Sequence, residues 1–381
     1  MRVLYWGTYD TGKPRNRILL HGLREAGVEV AEIHHDVWGG VEDKSQLRNL
    51  PIKILYFIKT ALAYPILIWR FLREKHIDVV VVGYLGQLDV IVIRPFAKLR
   101  GIPVCWDVFI SLYDTVVADR CLLARRNPLA WMLYGWEWLA SRCCDLVVMD
   151  TKAHCAYFAQ LYRLDPGKTA AIPVGAEPEH FPPSTQQPPK DTAFSNERPL
   201  RVLFYGQFIP LHGIETIVEA ARQLADEPIE WTIIGTGQEQ TKIDAILHHH
   251  RLERVHRILW VAYDQLHEHI DRADICLGIF GTSGKAGRVI PNKVFQGLMV
   301  GKPLITRDSA AIRELVDEKM RGVYLVPAGD APALARAISM AYLLPKPLVE
   351  PAEMVIIQRR IAPRAIGNNF KEILDGLMSR R

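Results

Sequence analysis

The residues best suited to chemistry are three cations in and just after a Gly- and Ser-rich loop: Lys285, Arg288 and Lys293. The loop leads through Pro291 into a short apolar stretch that predicts a helix. A Gly-rich loop that enters a helix presents free backbone N–H groups and the positive end of the helix dipole to an anion. The sequence therefore predicts a phosphate site, with a nucleoside diphosphate as the anion. The alternative is an ordinary loop–helix–strand unit of an α/β protein.

The composition is that of a folded globular protein. The 381 residues are 49% hydrophobic and 23% charged, with a net charge of +5, which is enough chain for two domains. The mild positive charge suits an acidic ligand or an anionic membrane, whereas no dense basic run with interleaved aromatics supports nucleic-acid binding. The six cysteines form no CxxC pair and no metal-ligand spacing is present, so we expect reduced thiols, a cytoplasmic location, no metal and no cofactor.

Short apolar runs alternate with helical patterns along the whole chain. Val/Ile runs without alternation, such as IDVVVVG at Ile77–Gly83, are typical of parallel strands covered on both faces. RVLFY at 201–205 resembles RVLYW at 2–6, and each is followed by Gly, while a Pro-, Ser- and Gln-rich stretch lies between them. The pattern predicts two doubly wound α/β domains with parallel sheets at 1–185 and 200–348, a linker at 186–199 and a helical segment at 349–381. The opening residues MRVLYWGTYD are interpreted as the first strand rather than a signal peptide.

The apolar segment Ile54–Leu72 allows three interpretations. Its length is near that of a membrane span, but Lys59, Pro65 and Arg70 interrupt it. A buried helix and an interfacial helix are the other two, and the basic residues within 53–75 suit contact with anionic lipid at the inner face of the cell membrane. The second aromatic helix pattern, Trp131–Leu139, is expected to lie in the core.

Four stretches of the second domain resemble, in order, the retaining family 4 group of glycosyltransferases, which have the GT-B fold. They are FYGQFIPLHGIETIVEAARQL (204–224), WTIIGTGQEQ (231–240), IPNKVFQGLMVGKPLIT (290–306) with AIREL (311–315), and AGDAPALARAI (328–338). GIPVCWDVFISLYDT (101–115) is similar to the acceptor-side border of the first domain. The resemblance implies two facing Rossmann-like domains, a nucleotide sugar held by the second, an acceptor held by the first, and a C-terminal helix that crosses back onto the first domain.

The sequence departs from the family pattern at its charged positions. The two acidic residues of the family fall on Arg288 and Gln296, and the usual Arg and Lys after the first strand of this domain are replaced by Gln207 and His212. Gln296 can still bond ribose hydroxyls, and Arg288 can bind phosphate. We therefore expect the cations to have moved onto the 285–293 stretch. The family's acceptor-side His is replaced by Phe109, and Asp107 remains two residues earlier.

The site prediction has three parts. The candidate catalytic residues are Asp107, Arg288 and Lys293. The candidate donor-binding residues are Gly206, Gln207, His212, Gly235, Gly237, Gly287, Asn292 and Gln296. The candidate acceptor-side residues are Asp10, Arg15 and Arg17.

The resulting functional hypothesis is a glycosyltransferase that moves a hexosyl group from a nucleoside-diphosphate sugar to a glycan or lipid-linked saccharide, with retention, in polysaccharide or glycolipid synthesis. Positioned cations and backbone N–H groups would stabilise the leaving diphosphate without a metal. A GT-B subunit that binds nucleotide but has lost catalysis is the alternative. A nucleotide-sugar 2-epimerase is disfavoured, because it needs carboxylates near the sugar and the 288–296 stretch has lost them.

Overall fold

The computed structural model describes residues 1–37, 50–184, 194–317, 320–343 and 351–380, with side chains at 50–55, 57 and 351 left undescribed. The chain forms two compact units. Unit 1 comprises Met1–Val117, Leu122–Val174 and Pro363–Arg381, and unit 2 comprises Ala118–Cys121 and Gly175–Ala362. The division between the units therefore falls at Val174/Gly175, before the predicted linker at 186–199. Most of that linker lies outside the described residues, and so does the predicted boundary at 348/349.

Unit 1 is built on a six-stranded parallel sheet. Its strands are β1 (Arg2–Gly7), β2 (Glu29–His34), β3 (Val79–Val82), β4 (Val104–Phe109), β5 (Leu146–Met149) and β6 (Thr169–Ala171), in the order β2-β1-β3-β4-β5-β6. Its helices are α1 (Pro14–Glu25), α2 (Leu50–Arg73), α3 (Gln87–Leu99), α4 (Pro128–Arg142), α5 (Lys152–Tyr162) and, at the end of the chain, α13 (Pro363–Ser379). All four valines of β3 are buried, because helices cover both faces of a parallel sheet.

Unit 2 has a second six-stranded parallel sheet. Its strands are β7 (Leu200–Tyr205), β8 (Ile229–Ile234), β9 (Val255–Ile258), β10 (Ile275–Leu277), β11 (Leu304–Arg307) and β12 (Val323–Val326), in the order β12-β11-β10-β7-β8-β9. Its helices are α6 (Ile214–Gln223), α7 (Gln240–His250), α8 (Leu266–Arg272), α9 (Asn292–Val300), α10 (Ile312–Leu315), α11 (Ala331–Leu343) and α12 (Pro351–Ile361). The prediction of two parallel-sheet Rossmann-like units is confirmed.

The strand order of unit 2 reverses direction between β7 and β10. Successive strands run outward from β7 to β9, and the chain then returns to place β10 on the other side of β7. Ligands of open α/β sheets bind beyond the carboxyl ends of the strands at this switch point. The two loops that leave it begin at Gly206, after β7, and at Gly278, after β10.

The C-terminal helices divide between the two units. In unit 2, α12 packs on α9, and Gln358 Nε2 donates to the Met299 carbonyl oxygen over 2.8 Å. In unit 1, α13 packs on α1 at a crossing of two glycines. A Cβ atom on Gly367 would lie 1.9 Å from the Gly22 carbonyl oxygen, and one on Gly22 would lie 2.3 Å from the Pro363 carbonyl oxygen. The two backbones therefore meet where no side chain fits.

Helix α4 was expected in the core, and for several of its aromatic and apolar residues that prediction is wrong. Trp131 is 70% exposed, and Met132, Trp138 and Leu139 are also exposed. The buried residues of the helix are instead Ala130, Glu137, Ala140 and Ser141. The small and hydrogen-bonded residues thus face the sheet, and the large apolar ones face outward.

A fully buried ion pair joins α1 to β4. Arg15 Nη2 lies 2.8 Å from Asp107 Oδ1, and Arg15 Nε lies 3.0 Å from Asp107 Oδ2. The Arg15 and Asp107 side chains are 1% and 0% exposed. Arg15 Nη1 also donates to the carbonyl oxygens of Ile172 and Pro173. The pair therefore connects the first helix of unit 1, its central strand and the end of its sheet.

We expect Gly367→Leu to lower the free energy of unfolding by about 1–3 kcal/mol or more, because the added side chain must push α13 off α1. The measurement is the urea unfolding curve at constant m-value. Gly376→Ala in the same helix is the matched control: a Cβ atom there meets nothing within 4 Å, so this variant should be stabilised by up to about 1 kcal/mol. Equal effects of the two substitutions would contradict the close crossing.

We expect Asp107→Asn to cost about 3–5 kcal/mol of stability, because it leaves the Arg15 guanidinium buried without a counter-charge. Thermal and urea unfolding measure the loss. The double variant Arg15→Met/Asp107→Asn should lose less than the sum of the two single variants, since it removes both charges together. Additive losses would show that the two side chains do not act as a pair.

Candidate functional site

Gly206 stands at the switch point of unit 2, directly after β7. Its φ of +140° is one that residues with a side chain rarely adopt. A Cβ atom placed on it would lie 2.8 Å from Lys293 Nζ and 3.1 Å from His212 Cε1. Two predicted donor-binding residues, Gly206 and His212, therefore meet the predicted catalytic residue Lys293 at one point. Gly206 places no side chain in front of the Lys293 ammonium group.

Lys293 is a buried cation at the start of α9. Its side chain is 5% exposed. Within the described ranges, Nζ has no hydrogen-bond partner. It makes a cation–π contact with the Phe204 ring, whose centroid lies 4.0 Å away. Burial holds the pKa of Lys293 well below its ordinary value. An anion bound in front of Nζ would supply the missing partner and favour the charged form.

The N-terminus of α9 adds backbone donors beside this ammonium group. Pro291 precedes the helix in an extended conformation and gives it no side-chain cap, and the first turn carries no acidic residue. The first backbone N–H groups of a helix lack intrahelical acceptors. Helix and lysine therefore both favour an anion at the same place.

His212 is held neutral next to Lys293. Its Nδ1 lies against the Gln207 carbonyl oxygen, which can only accept, so Nδ1 carries the proton. Burial, followed by the charges of Lys293 and Arg120, holds the pKa of His212 well below its ordinary value, although the bond to Gln207 acts in the opposite direction. The ring therefore presents Nε2 as an acceptor and adds no charge.

The loop after β10 brings further cations to this end of the sheet. A Cβ atom on Gly284 would lie 2.8 Å from Arg288 Nη1, so the Arg288 guanidinium folds back over its own loop. Lys285 is buried in the short 3₁₀ turn Lys285–Gly287. Arg307, the last residue of β11, donates to the Gly281 carbonyl oxygen, and a Cβ atom on Gly287 would lie 3.4 Å from Arg307 Nη2.

The other residues predicted to bind the donor also lie in unit 2, but their contacts are with protein groups other than Lys293. Gly235 approaches the Gly206 carbonyl oxygen and Gly237 approaches the backbone of Phe208, so each packs one loop on another. Asn292 is the first residue of α9. Gln296 is buried, and its Oε1 accepts from the Tyr205 hydroxyl over 3.1 Å. The carbonyl oxygen of the side-chain amide that is predicted to contact the ribose is thus engaged inside the protein.

Two residues that the sequence did not indicate also lie here, Asp119 and Arg120. Both belong to unit 2 although they follow β4 in the chain. Arg120 Nη2 donates to Gln207 Oε1 over 3.0 Å. Asp119 Oδ1 accepts from Ser283 Oγ over 2.7 Å. No local pattern marks them, whereas Arg307 could have been found as the carboxyl end of a strand beside the switch point.

The acceptor-side predictions lie in unit 1 and serve local structure there. Asp107 and Arg15 pair with each other and have no accessible atom for a substrate. Asp10 Oδ1 accepts from the Gly12 backbone N–H over 2.8 Å, which closes a turn after β1. Arg17 Nη1 donates to the Gly12 carbonyl oxygen over 2.6 Å. Asp107 thus belongs to unit 1, whereas Arg288 and Lys293, with which it is grouped as catalytic, belong to unit 2.

Among the described residues, no group of three or more His, Cys, Asp or Glu side chains is arranged to hold a metal ion. None of the described helices combines the length and apolarity needed to cross a bilayer.

Residues 199–342 match the protein family described as glycosyl transferases group 1. The amylovoran biosynthesis glycosyltransferase AmsK of Erwinia amylovora is 27% identical over 166 residues, which cover 42% of this chain and 39% of AmsK. The putative colanic acid biosynthesis glycosyl transferase WcaI of Escherichia coli K12 is 28% identical over 147 residues, which cover 38% of this chain and 36% of WcaI. Both matches therefore span well under half of these relatives.

Two solved structures share the fold over nearly the whole chain. Sucrose-phosphate synthase from Thermosynechococcus elongatus superposes with a TM-score of 0.70 at 17% identity, covering 100% of this chain and 99% of that one. Anabaena Alr3699/HepE, solved in complex with UDP, superposes with a TM-score of 0.65 at 15% identity, covering 99% and 100%. Residues 199–342 are therefore a glycosyl transferases group 1 domain, carried on a chain with the GT-B fold of two Rossmann-like units.

Proposed function

We propose that this chain is a glycosyltransferase that moves a hexosyl group from a nucleoside-diphosphate sugar to a glycan or lipid-linked saccharide, with retention. The observation that carries the proposal is the Lys293 ammonium group, buried beside Gly206 at the switch point of a group 1 domain. It lacks a hydrogen-bond partner in the described part of the chain. A buried cation of this kind is costly unless a ligand supplies the counter-charge.

The chemistry of glycosyl transfer matches this electrostatic arrangement. When the bond between the sugar and the diphosphate breaks, negative charge builds up on the leaving phosphate oxygens. Lys293 and the first backbone N–H groups of α9 would stabilise that charge where it develops, and Arg288 could reach it from the neighbouring loop. The neutral ring of His212 offers an acceptor that does not neutralise Lys293. None of these steps needs a protein nucleophile.

The relatives support the substrate classes. AmsK is named as a glycosyltransferase of amylovoran biosynthesis, and WcaI as a putative one of colanic acid biosynthesis, which supports a growing saccharide as acceptor. Alr3699/HepE has been solved with UDP-glucose as well as with UDP, which supports a UDP-hexose as the first donor to test.

We further propose that unit 1 contacts an anionic membrane surface through α2 and α4. Both helices pack against α3, so they lie on the same face of the sheet. Leu62, Ile66 and Trp69 form an exposed stripe on α2, opposite its buried residues. The Arg73 guanidinium lies 3.8 Å from the centre of the Trp69 ring, and on α4 the Arg142 guanidinium lies 4.0 Å from that of Trp138. Exposed aromatic rings beside cations suit the headgroup region of anionic lipid.

The function is tested by donor hydrolysis and transfer with a panel of UDP- and GDP-hexoses. We expect wild type to turn over at least one donor, with the product anomer read by NMR. Lys293→Met should weaken nucleoside-diphosphate binding by about 1.5–3 kcal/mol in calorimetry, because it removes a charged hydrogen bond. Lys371→Met, on the exposed face of α13, is the matched control and should bind as wild type does. Tight binding without turnover would instead favour a non-catalytic nucleotide-binding subunit.

The same variant should be more stable than wild type when no ligand is present. Because burial lowers the folded-state pKa of Lys293, the unfolded chain binds the proton more tightly and the charge destabilises the fold. The cost is complete below the lowered pKa and disappears as pH rises toward about 10.4. The gain in Tm of Lys293→Met should therefore shrink from pH 7 to pH 10. A loss of Tm at pH 7 would contradict the unpaired ammonium group.

Membrane contact is tested by co-sedimentation with phosphatidylcholine vesicles with and without 30 mol% phosphatidylglycerol (about this fraction gives a clear negative surface). We expect binding to the anionic vesicles only, and about tenfold weaker binding for Trp69→Ala/Trp131→Ala, since two exposed anchors are lost. Trp260→Ala, also at an exposed tryptophan but in unit 2, should bind as wild type does. Equal binding of all three proteins would contradict the assigned surface.

A further inference from the structure

Arg120 contacts the loop that follows β7, although the two are far apart in the sequence. Its Nη2 donates to Gln207 Oε1 over 3.0 Å, across 87 positions of the chain. Gln238 Nε2 donates to the Arg120 carbonyl oxygen over 3.2 Å, and the preceding Asp119 accepts from Ser283. Side chains from three loops of unit 2, those after β7, β8 and β10, thus hold residues 119–120 in place.

The guanidinium group of Arg120 has a donor that the described residues leave without an acceptor. Its Nε is buried without a hydrogen-bond partner among the described residues. No described carboxylate lies within ion-pair distance of it, and its partner Gln207 is neutral. An arginine can make several donor contacts in a fixed fork, which is the geometry that phosphate groups match. The described residues therefore leave part of this fork without an acceptor.

Arg120 and Lys293 act on the same small region. Gly206 lies against Lys293 Nζ, and the next residue, Gln207, binds Arg120 through its side chain and His212 through its carbonyl oxygen. Both cations lower the pKa of His212, as two positive charges near one imidazole must. Two cations thus adjoin consecutive residues, Gly206 and Gln207, and no described carboxylate forms an ion pair with either. Such a pair suits an anion with more than one charge.

We infer that Arg120 is a diphosphate-binding residue of the donor site, and that it supplies from residues 118–121 the guanidinium that Gln207 lacks. The inference rests on the proposed function, because it assigns a ligand contact within the same site. Asp119 acts as a positioning residue: its bond to Ser283 fixes the segment next to the loop that precedes α9.

Calorimetry with UDP and GDP tests the inference. For the diphosphate that wild type binds more tightly, we expect Arg120→Gln to raise the Kd about 10- to 100-fold, as for a lost charged hydrogen bond. Binding of the corresponding nucleoside, measured by ligand-observed NMR, should be unchanged, which a general loss of structure would not produce. Arg120→Lys keeps the charge but loses the fork, so its Kd should lie between those of wild type and Arg120→Gln.

Arg126→Gln is the matched control, because it removes the same charge from an exposed position six residues further along the chain. Its Kd should equal that of wild type. A Kd for Arg120→Gln within about threefold of this control, with Lys293→Met still defective, would overturn the role of Arg120 and leave the proposed function standing. If wild type binds neither UDP nor GDP, the proposed function fails and this inference fails with it.

Discussion

The proposed donor site of unit 2 depends on a charge that the protein does not neutralise. Lys293 emerges from the first turn of α9 into a space bounded by Gly206, His212 and the Phe204 ring. Removing an ammonium group from water costs several kcal/mol unless a partner replaces the lost hydration, and the described residues offer only the face of an aromatic ring. The φ of Gly206, the absence of a cap on α9 and the neutral state of His212 all keep that space open to an anion.

Unit 1 uses buried polar groups differently at the same end of its sheet. Glu137 accepts from the Ser111 and Tyr162 hydroxyls and from two backbone N–H groups after β4. Asp89 accepts from the Thr8 backbone and the Tyr64 hydroxyl, and Asp107 is paired with Arg15. These carboxylates fix the loops that leave the strands, because each finds its donors within the protein. Proximity to the carboxyl end of a strand therefore did not distinguish a structural carboxylate from a functional one.

The sequence was sufficient for the fold and for three residues that meet at the switch point of unit 2. Val/Ile runs and the repeated strand–Gly pattern predicted both parallel sheets, and Gly206, His212 and Lys293 do meet. Local patterns failed where long-range packing decides. Arg120 contacts Gln207 because residues 118–121, which follow β4 in the chain, pack with unit 2. Asp107 is buried because Arg15 reaches it from another element, and α4 turns Trp131 outward because Glu137 occupies its inner face. Apolar periodicity gives the spacing of such residues but not which side faces the sheet.

The loss of acidic residues from the 288–296 stretch fits this electrostatic arrangement. A carboxylate within reach of Lys293 would pair with it permanently, raise its pKa and remove the cost of its burial. A diphosphate would then have to displace that partner before it could bind. With Arg288 and Gln296 at those positions, and with the Gln296 carbonyl engaged by Tyr205, the ammonium group has no competing carboxylate there. The unpaired ammonium group lowers the stability of the ligand-free fold. An anion that pairs with it removes this cost, so the same free energy favours binding.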